Sequence, residues 1–125
     1  MALSEREGLT LWRRALTASV RSDAPDLTAR QQAILMTVAL TPGPHTVRGL
    51  AADLDIAKPA VTRALDTLTR LDLVRRVKDE SDLRSVFIER TVKGAAYLRA
   101  LGRLILAAID SEEDAPREHR TSRAA

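Results

Sequence analysis

Between Ile56 and Glu89 the apolar period of the chain changes from helical to alternating, and only a charged turn interrupts the alternating part. Val61, Leu65 and Leu68 fall at i, i+4 and i+7, which places them on one helix face and sends Lys58, Thr62, Arg63 and Asp66 to the other. Pro59 stands in the first turn of that helix, where a missing amide proton does little harm. Val74 to Lys78 then reads as a basic strand, Asp79 to Asp82 as a tight turn, and Ser85 to Glu89 as the returning strand, with Val86 and Ile88 on one face. A short helix followed at once by a basic hairpin is the layout of a helix that enters a major groove and a wing that reaches the neighbouring minor groove.

The flanking segments fit the same plan. Leu9, Trp12, Leu16 and Val20 recur at helical spacing and predict a first helix over about residues 4–21, with Arg13, Arg14 and Arg21 off its apolar stripe. Ser22 to Pro25 breaks it. Thr28 and Gln31 have the spacing of a capping box, and Ile34, Leu35 and Val38 form the buried face of the second helix. Pro42 and Pro44 end that helix, because neither can continue the ladder. Thr46 caps a short third helix with Leu50 and Leu54 inside, Asp55 to Ala57 is the turn, and Thr91 caps a last helix bearing Tyr97, Leu101, Leu104 and Ala108 on one side. The expected fold class is mostly α with a small β-hairpin wing, a winged helix-turn-helix forming one domain over residues 1–110. Its groove-binding part spans about 27–91, and the terminal helices, about 4–21 and 92–110, form a separate layer. Residues 111–125 carry mixed charge without apolar period and are expected to have little order.

Composition narrows the function. A chain of 125 residues has room for one core, and with aromatic residues at 2% that core is built from Leu, Val, Ile and Ala. The absence of Cys excludes disulfides, thiolate metal sites and cysteine nucleophiles, and agrees with a reducing cytoplasm. His45 falls in a loop and His119 in the tail, and both read as solvent-facing residues without a neighbouring carboxylate pair. No Gly-rich phosphate loop or metal-ligand spacing accompanies them, so the expectation is a protein without enzymatic activity, cofactor or metal. No apolar run approaches the roughly 20 residues of a membrane span, and the polar start from Met1 to Gly8 is unlike a secretory signal. A cytoplasmic protein is expected. The net charge of +3 and pI near 9.9 permit nucleic-acid binding without demanding it.

The outward-facing residues give the reading its chemistry. A helix presented to DNA needs small or polar side chains in its N-terminal half and cations for guanine edges or phosphates. Lys58, Pro59, Ala60, Thr62 and Arg63 meet that need, with Arg63 the best candidate for a base or phosphate contact and Pro59 and Ala60 offering shape and methyl contacts. A solvated helix face accounts for the same residues taken alone. In the wing, Arg84, next to Ser85, is placed to enter a minor groove, or to pair with Asp79 or Asp82 as an ordinary turn arginine. Arg75, Arg76 and Lys78 make a basic strand, equally an edge strand defended by charge. Thr46 and Arg48 are placed to grip a phosphate, although capping alone explains Thr46. The acids Asp79, Glu80 and Asp82 would keep the wing tip clear of a polyanion. A protein-binding winged helix is the competing possibility, and an apolar outer stripe on the helix beginning at Lys58 would favour it.

The ordered set Leu27-Thr28 with Gln31, Leu50-Ala51, Val61-Thr62-Arg63, Leu73-Val74 with Arg76, Asp82 with Arg84, and Thr91 with Gly94 resembles the MarR family of bacterial transcription regulators. The resemblance implies a homodimer whose first and last helices intertwine, here through Leu9, Trp12, Leu16, Tyr97, Leu101, Leu104 and Ala108. It implies double-stranded palindromic DNA as partner, with Arg84 in the minor groove. It also implies repression of nearby genes, relieved by a small aromatic or anionic effector. Arg90 stands where the family usually has Leu, which would change packing at the wing base. Asp72 replaces a common Gly and must tolerate a left-handed backbone.

Overall fold

The computed structural model describes residues 2–111, which run as α1 (Glu5–Arg21), α2 (Ala29–Leu40), α3 (Val47–Leu54), α4 (Lys58–Arg70), β1 (Val74–Lys78), β2 (Val86–Arg90) and α5 (Val92–Asp110). Four of these helices begin on a hydroxyl. Ser4 and Thr28 form reciprocal capping boxes with Glu7 and Gln31, while Thr46 and Thr91 accept from the amides of Gly49 and Gly94. The exception is α4, whose N-cap Ala57 makes no side-chain bond and whose first turn holds Pro59.

Two helices stop on an aspartate in the left-handed region. Asp55 (φ 54°) and Asp72 (φ 63°) follow α3 and α4. After α4 the Asp72 amide donates to Thr69 O (2.9 Å) and the Leu73 amide to Leu68 O (2.9 Å), the paired bonds of a Schellman ending. The short Asp side chain replaces the Gly usual at such a position and reverses the chain into β1.

The core forms where α2, α3 and α4 converge and the hairpin closes them. Ile34, Leu35, Leu50, Val61, Leu65, Leu68, Leu73, Val74 and Ile88 are fully buried. Tyr97 joins them from α5, and its hydroxyl accepts from Gln32 Nε2 (3.3 Å). A second layer is α1 against α5, where Ala15 and Ala108 are small enough for close approach and Arg14 Nη1 donates to Ala108 O (3.0 Å). Tyr97, Leu101 and Ala108 are therefore covered within the protomer, Leu104 is half-buried, and only Leu9, Trp12 and Leu16 of the expected interface set are exposed. The sequence pattern put both sets on one footing, because α5 carries apolar residues on two sides. Its outward ones are Val92, Leu106 and Ile109.

The wing is an antiparallel hairpin with Arg76 opposite Ile88 and Lys78 opposite Val86. Its turn is longer than expected: β2 starts at Val86, and Val86 lies at the exposed end while Ile88 is buried over the helices. His45 is not a free loop residue. It is half-buried, its carbonyl accepts from the Ile88 amide (2.8 Å) as an isolated bridge, and its Nε2 lies 3.1 Å from Thr41 O. The expected Arg90 departure is resolved by reach, since Nη1 donates to Ala39 O (3.0 Å) in the last turn of α2, where a cation is favoured by the helix dipole. No helix among the described residues is long and apolar enough to cross a membrane. His119 and the expected disorder of residues 112–125 lie outside the described residues.

Candidate nucleic-acid interface

Exposure along α4 divides by face. Val61, Ala64, Leu65 and Leu68 point inward, and Lys58, Pro59, Thr62, Arg63 and Asp66 are exposed. Ala60, expected outside, is 9% exposed and packs inward. It precedes Ala64 and Leu68 by one and two helical turns, so it widens the buried stripe instead of offering a methyl to a ligand. Among the described residues, neither the Lys58 nor the Arg63 side chain has a hydrogen bond or an ion pair, so both cations are available.

The hairpin is fastened to the exposed side of α4. Arg76 of β1 pairs with Asp66 through Nη2 and Oδ1 (2.9 Å), and its Nη1 lies 3.4 Å from Thr69 Oγ1. Arg75, on the other face of the strand, pairs with Glu89 directly opposite (2.9 Å), so its charge is matched before any ligand arrives. That geometry assigns Arg75 to cross-strand pairing, a contact worth a fraction of a kcal/mol when exposed, about 0.2–1.

The acids of the wing tip fold the turn. Asp79 Oδ1 accepts from the Ser81 amide (2.9 Å) and hydroxyl (2.7 Å), and these bonds hold the Asp79 carboxyl below its ordinary value. Asp82 Oδ1 accepts from the Arg84 amide (3.1 Å) and Nε (3.3 Å), while its Oδ2 accepts from Ser85 Oγ (3.4 Å). The Asp79 and Asp82 carboxylates are thus directed at the loop's own donors, while Glu80 is exposed and has no side-chain partner among the described residues. Arg84 itself is 93% exposed at the side chain, anchored at its base by Asp82 and projecting beyond it. Leu83 beside it is 70% exposed, a feature that sequence reading missed; its signal was an aliphatic residue in a charged turn with no strand alternation to bury it.

On α3, the Thr46 hydroxyl is used by the Gly49 amide (3.0 Å), whereas Arg48 is exposed and has no partner among the described residues. No cluster of three or more His, Asp or Glu able to hold a metal occurs among the described residues. The structure thus brings together Lys58, Thr62 and Arg63 on one open helix face, adds the wing with Arg84, and withdraws Ala60.

Residues 27–86 match the MarR family, a span that takes in α2, α3, α4, β1 and the wing turn as far as Val86, the first residue of β2. The chain carries a MarR-family winged helix-turn-helix. Solved structures agree over nearly the whole length. A MepR variant from S. aureus, solved bound to an oligodeoxyribonucleotide, superposes with a TM-score of 0.73 at 20% identity, covering 94% of this chain and 83% of that one. FabT from Streptococcus pneumoniae, solved in complex with DNA, gives 0.67 at 21% identity, covering 92% and 78%. A transcriptional regulator from Thermotoga maritima gives 0.70 at 21%, covering 92% and 79%. At such identities the likeness establishes the fold. No curated protein matches the sequence. In MarR terms, α3 and α4 are the helix-turn-helix, and β1 and β2 the wing.

Proposed function

We propose that this chain is a sequence-specific, double-stranded-DNA-binding transcription regulator of MarR type, acting as a homodimer on a palindromic site. The observation that carries the reading is the open face of α4, where Thr62 stands exposed between two cations, Lys58 and Arg63, that the protein itself leaves unpaired. Such a face reads base edges when it lies in a major groove, and Arg63 is its guanine or phosphate contact. Arg84 with Ser85 reaches the adjacent minor groove from the wing. Arg48 grips a phosphate beside the capped start of α3.

The partner copy covers the outer stripe of α1. Leu9, Trp12, Leu16 and Val20 lie exposed on one side of that helix, with Leu106 and Ile109 on neighbouring α5. The four α1 side chains line one open surface, and an apolar surface of this kind calls for burial. A cleft of about 360 Å³ between the end of α1 and the middle of α5, lined by Tyr97, Leu101, Leu104 and Arg103, suits a small aromatic or anionic effector. The competing protein-docking role is disfavoured because α4 shows no exposed apolar stripe; its outer face is Lys58, Thr62, Arg63 and Asp66.

Selection of bound genomic fragments by the purified protein at two salt concentrations tests the reading. The expected result is a palindrome with half-sites about 10 base pairs apart. Sequence-blind binding that vanishes at higher salt, or no binding, would refute it.

A further inference from the structure

Asp66 is the one acid on the open face of α4, and it stands four residues from Thr62 and three from Arg63, within the same exposed strip. A bare carboxylate there would be pushed away by phosphates. This one is not bare. Arg76 Nη2 holds Oδ1 at 2.9 Å, and Arg76 is itself steadied near Thr69 Oγ1 at 3.4 Å. The guanidinium side is the more covered, with Arg76 33% and Asp66 58% exposed, so the pair presents its carboxylate outward in a fixed pose. Among the described residues, Oδ2 of Asp66 receives no hydrogen bond. The result is a charge-balanced pair with an open acceptor on the face proposed to meet base edges.

We infer that Asp66 is a specificity-determining residue that reads cytosine, accepting a hydrogen bond at Oδ2 from the exocyclic N4 amine in the major groove. The inference rests on the DNA-binding reading above. Guanine and thymine offer acceptors in that groove and repel a carboxylate. Adenine offers its N6 donor beside the N7 acceptor, which is unfavourable to an anion, whereas cytosine offers the donor alone. Arg76 acts through Asp66 as a positioning residue: it sets the carboxylate's direction and cancels its charge toward the phosphates.

Selection from a randomised DNA library, run in parallel with the wild type, Asp66→Asn and Asp66→Ala, tests this, with melting temperatures recorded for all three. The expected wild-type profile contains one C·G pair in each half-site whose replacement weakens binding by about 5- to 150-fold. Asp66→Asn should move that position toward adenine, because an amide matches its N6 and N7 edge, and Asp66→Ala should leave it undetermined. All other positions should be unchanged. If both variants keep the wild-type profile and bind every sequence more tightly by the same factor, Asp66 only repels phosphate and the inference fails. An unchanged profile with a lowered melting temperature would make the pair purely structural and overturn it too. A wild type that enriches no sequence would refute the DNA-reading function and this inference with it, an outcome distinct from the other two.

Discussion

Gly94 lets the first turn of α5 lie close against the α4–β1 turn, and replacing it has a calculable consequence. A Cβ built on Gly94 would collide with the Leu73 carbonyl oxygen, and it would also lie 3.1 Å from Leu73 C and 3.4 Å from its Cα. Those are backbone atoms of the α4–β1 turn, so no side-chain rotation relieves the clash. The first turn of α5 must retreat, yet Thr91 ties it there, with Oγ1 donating to Asp72 O (2.6 Å) and its amide to Leu73 O (3.3 Å). Overpacking of this sort costs about 1–3 kcal/mol. Two weakened hydrogen bonds add about 1 kcal/mol each, and the better helix propensity of alanine returns about 1 kcal/mol. Gly94→Ala should therefore destabilise the fold by about 2–4 kcal/mol, a drop in melting temperature on the order of 10 °C. Gly102, in the same helix, is the internal control, because its Cβ would meet nothing within 4 Å. Gly102→Ala should stabilise by up to about 1 kcal/mol. Urea unfolding followed by circular dichroism measures both. If Gly94→Ala proved as stable as wild type while Gly102→Ala behaved as expected, the close approach of α5 to Leu73 would not exist in solution.

Three other outcomes are expected. Asp72→Gly should be neutral or stabilising, and Asp72→Ala destabilising by about 1 kcal/mol, because alanine lacks the local polar compensation for a left-handed backbone; equal stabilities in thermal melts would contradict the Schellman ending. Leu16→Asp changes a side chain on an exposed stripe of α1, so it should leave the protomer folded and make it monomeric by sedimentation; an intact dimer would remove α1 from the interface. Leu101→Asp could not serve, since Leu101 is buried within the protomer and its loss would unfold it. The wing turn should depend on pH through Asp79, whose carboxyl is held below its ordinary 3.8 by Ser81. A depressed folded value means the contribution is complete above 3.8 and lost as pH falls through the lowered value. The Ser81 amide resonance should titrate in that acid range, and a midpoint at or above 3.8 would show that the turn does not hold Asp79 as described.

Local signals carried most of the fold. Thr28 with Gln31, Thr46 and Thr91 act where they stand in the chain, and each starts its helix in the structure as the spacing suggests. Asp72 was legible as a left-handed residue only through the family resemblance, in which Gly is common at that position. The misplacements involve partners far along the chain. Ala60 and Arg75 look available until α4 is packed and Glu89 is brought opposite by the hairpin register. Tyr97, Leu101 and Ala108 look like an outer stripe until α1 and the core cover them, because a helix that is apolar on two sides does not say which side its own chain will take. Nothing in the sequence marks His45, whose carbonyl bridges to Ile88 and whose Nε2 lies beside Thr41 O. The open face of α4 fared better, since Lys58, Thr62 and Arg63 are displaced outward by the helical period alone.

Whether the open face of α4 reads sequence is decided by a binding titration. Fluorescence anisotropy of the wild type and Arg63→Ala would be measured on a recovered palindrome and on a scrambled duplex, across a range of salt. Wild type should prefer the palindrome, and Arg63→Ala should lose about 1–3 kcal/mol on it while binding the scrambled duplex little differently. Equal affinity of the wild type for both duplexes, or an unaltered preference in Arg63→Ala, would contradict the account.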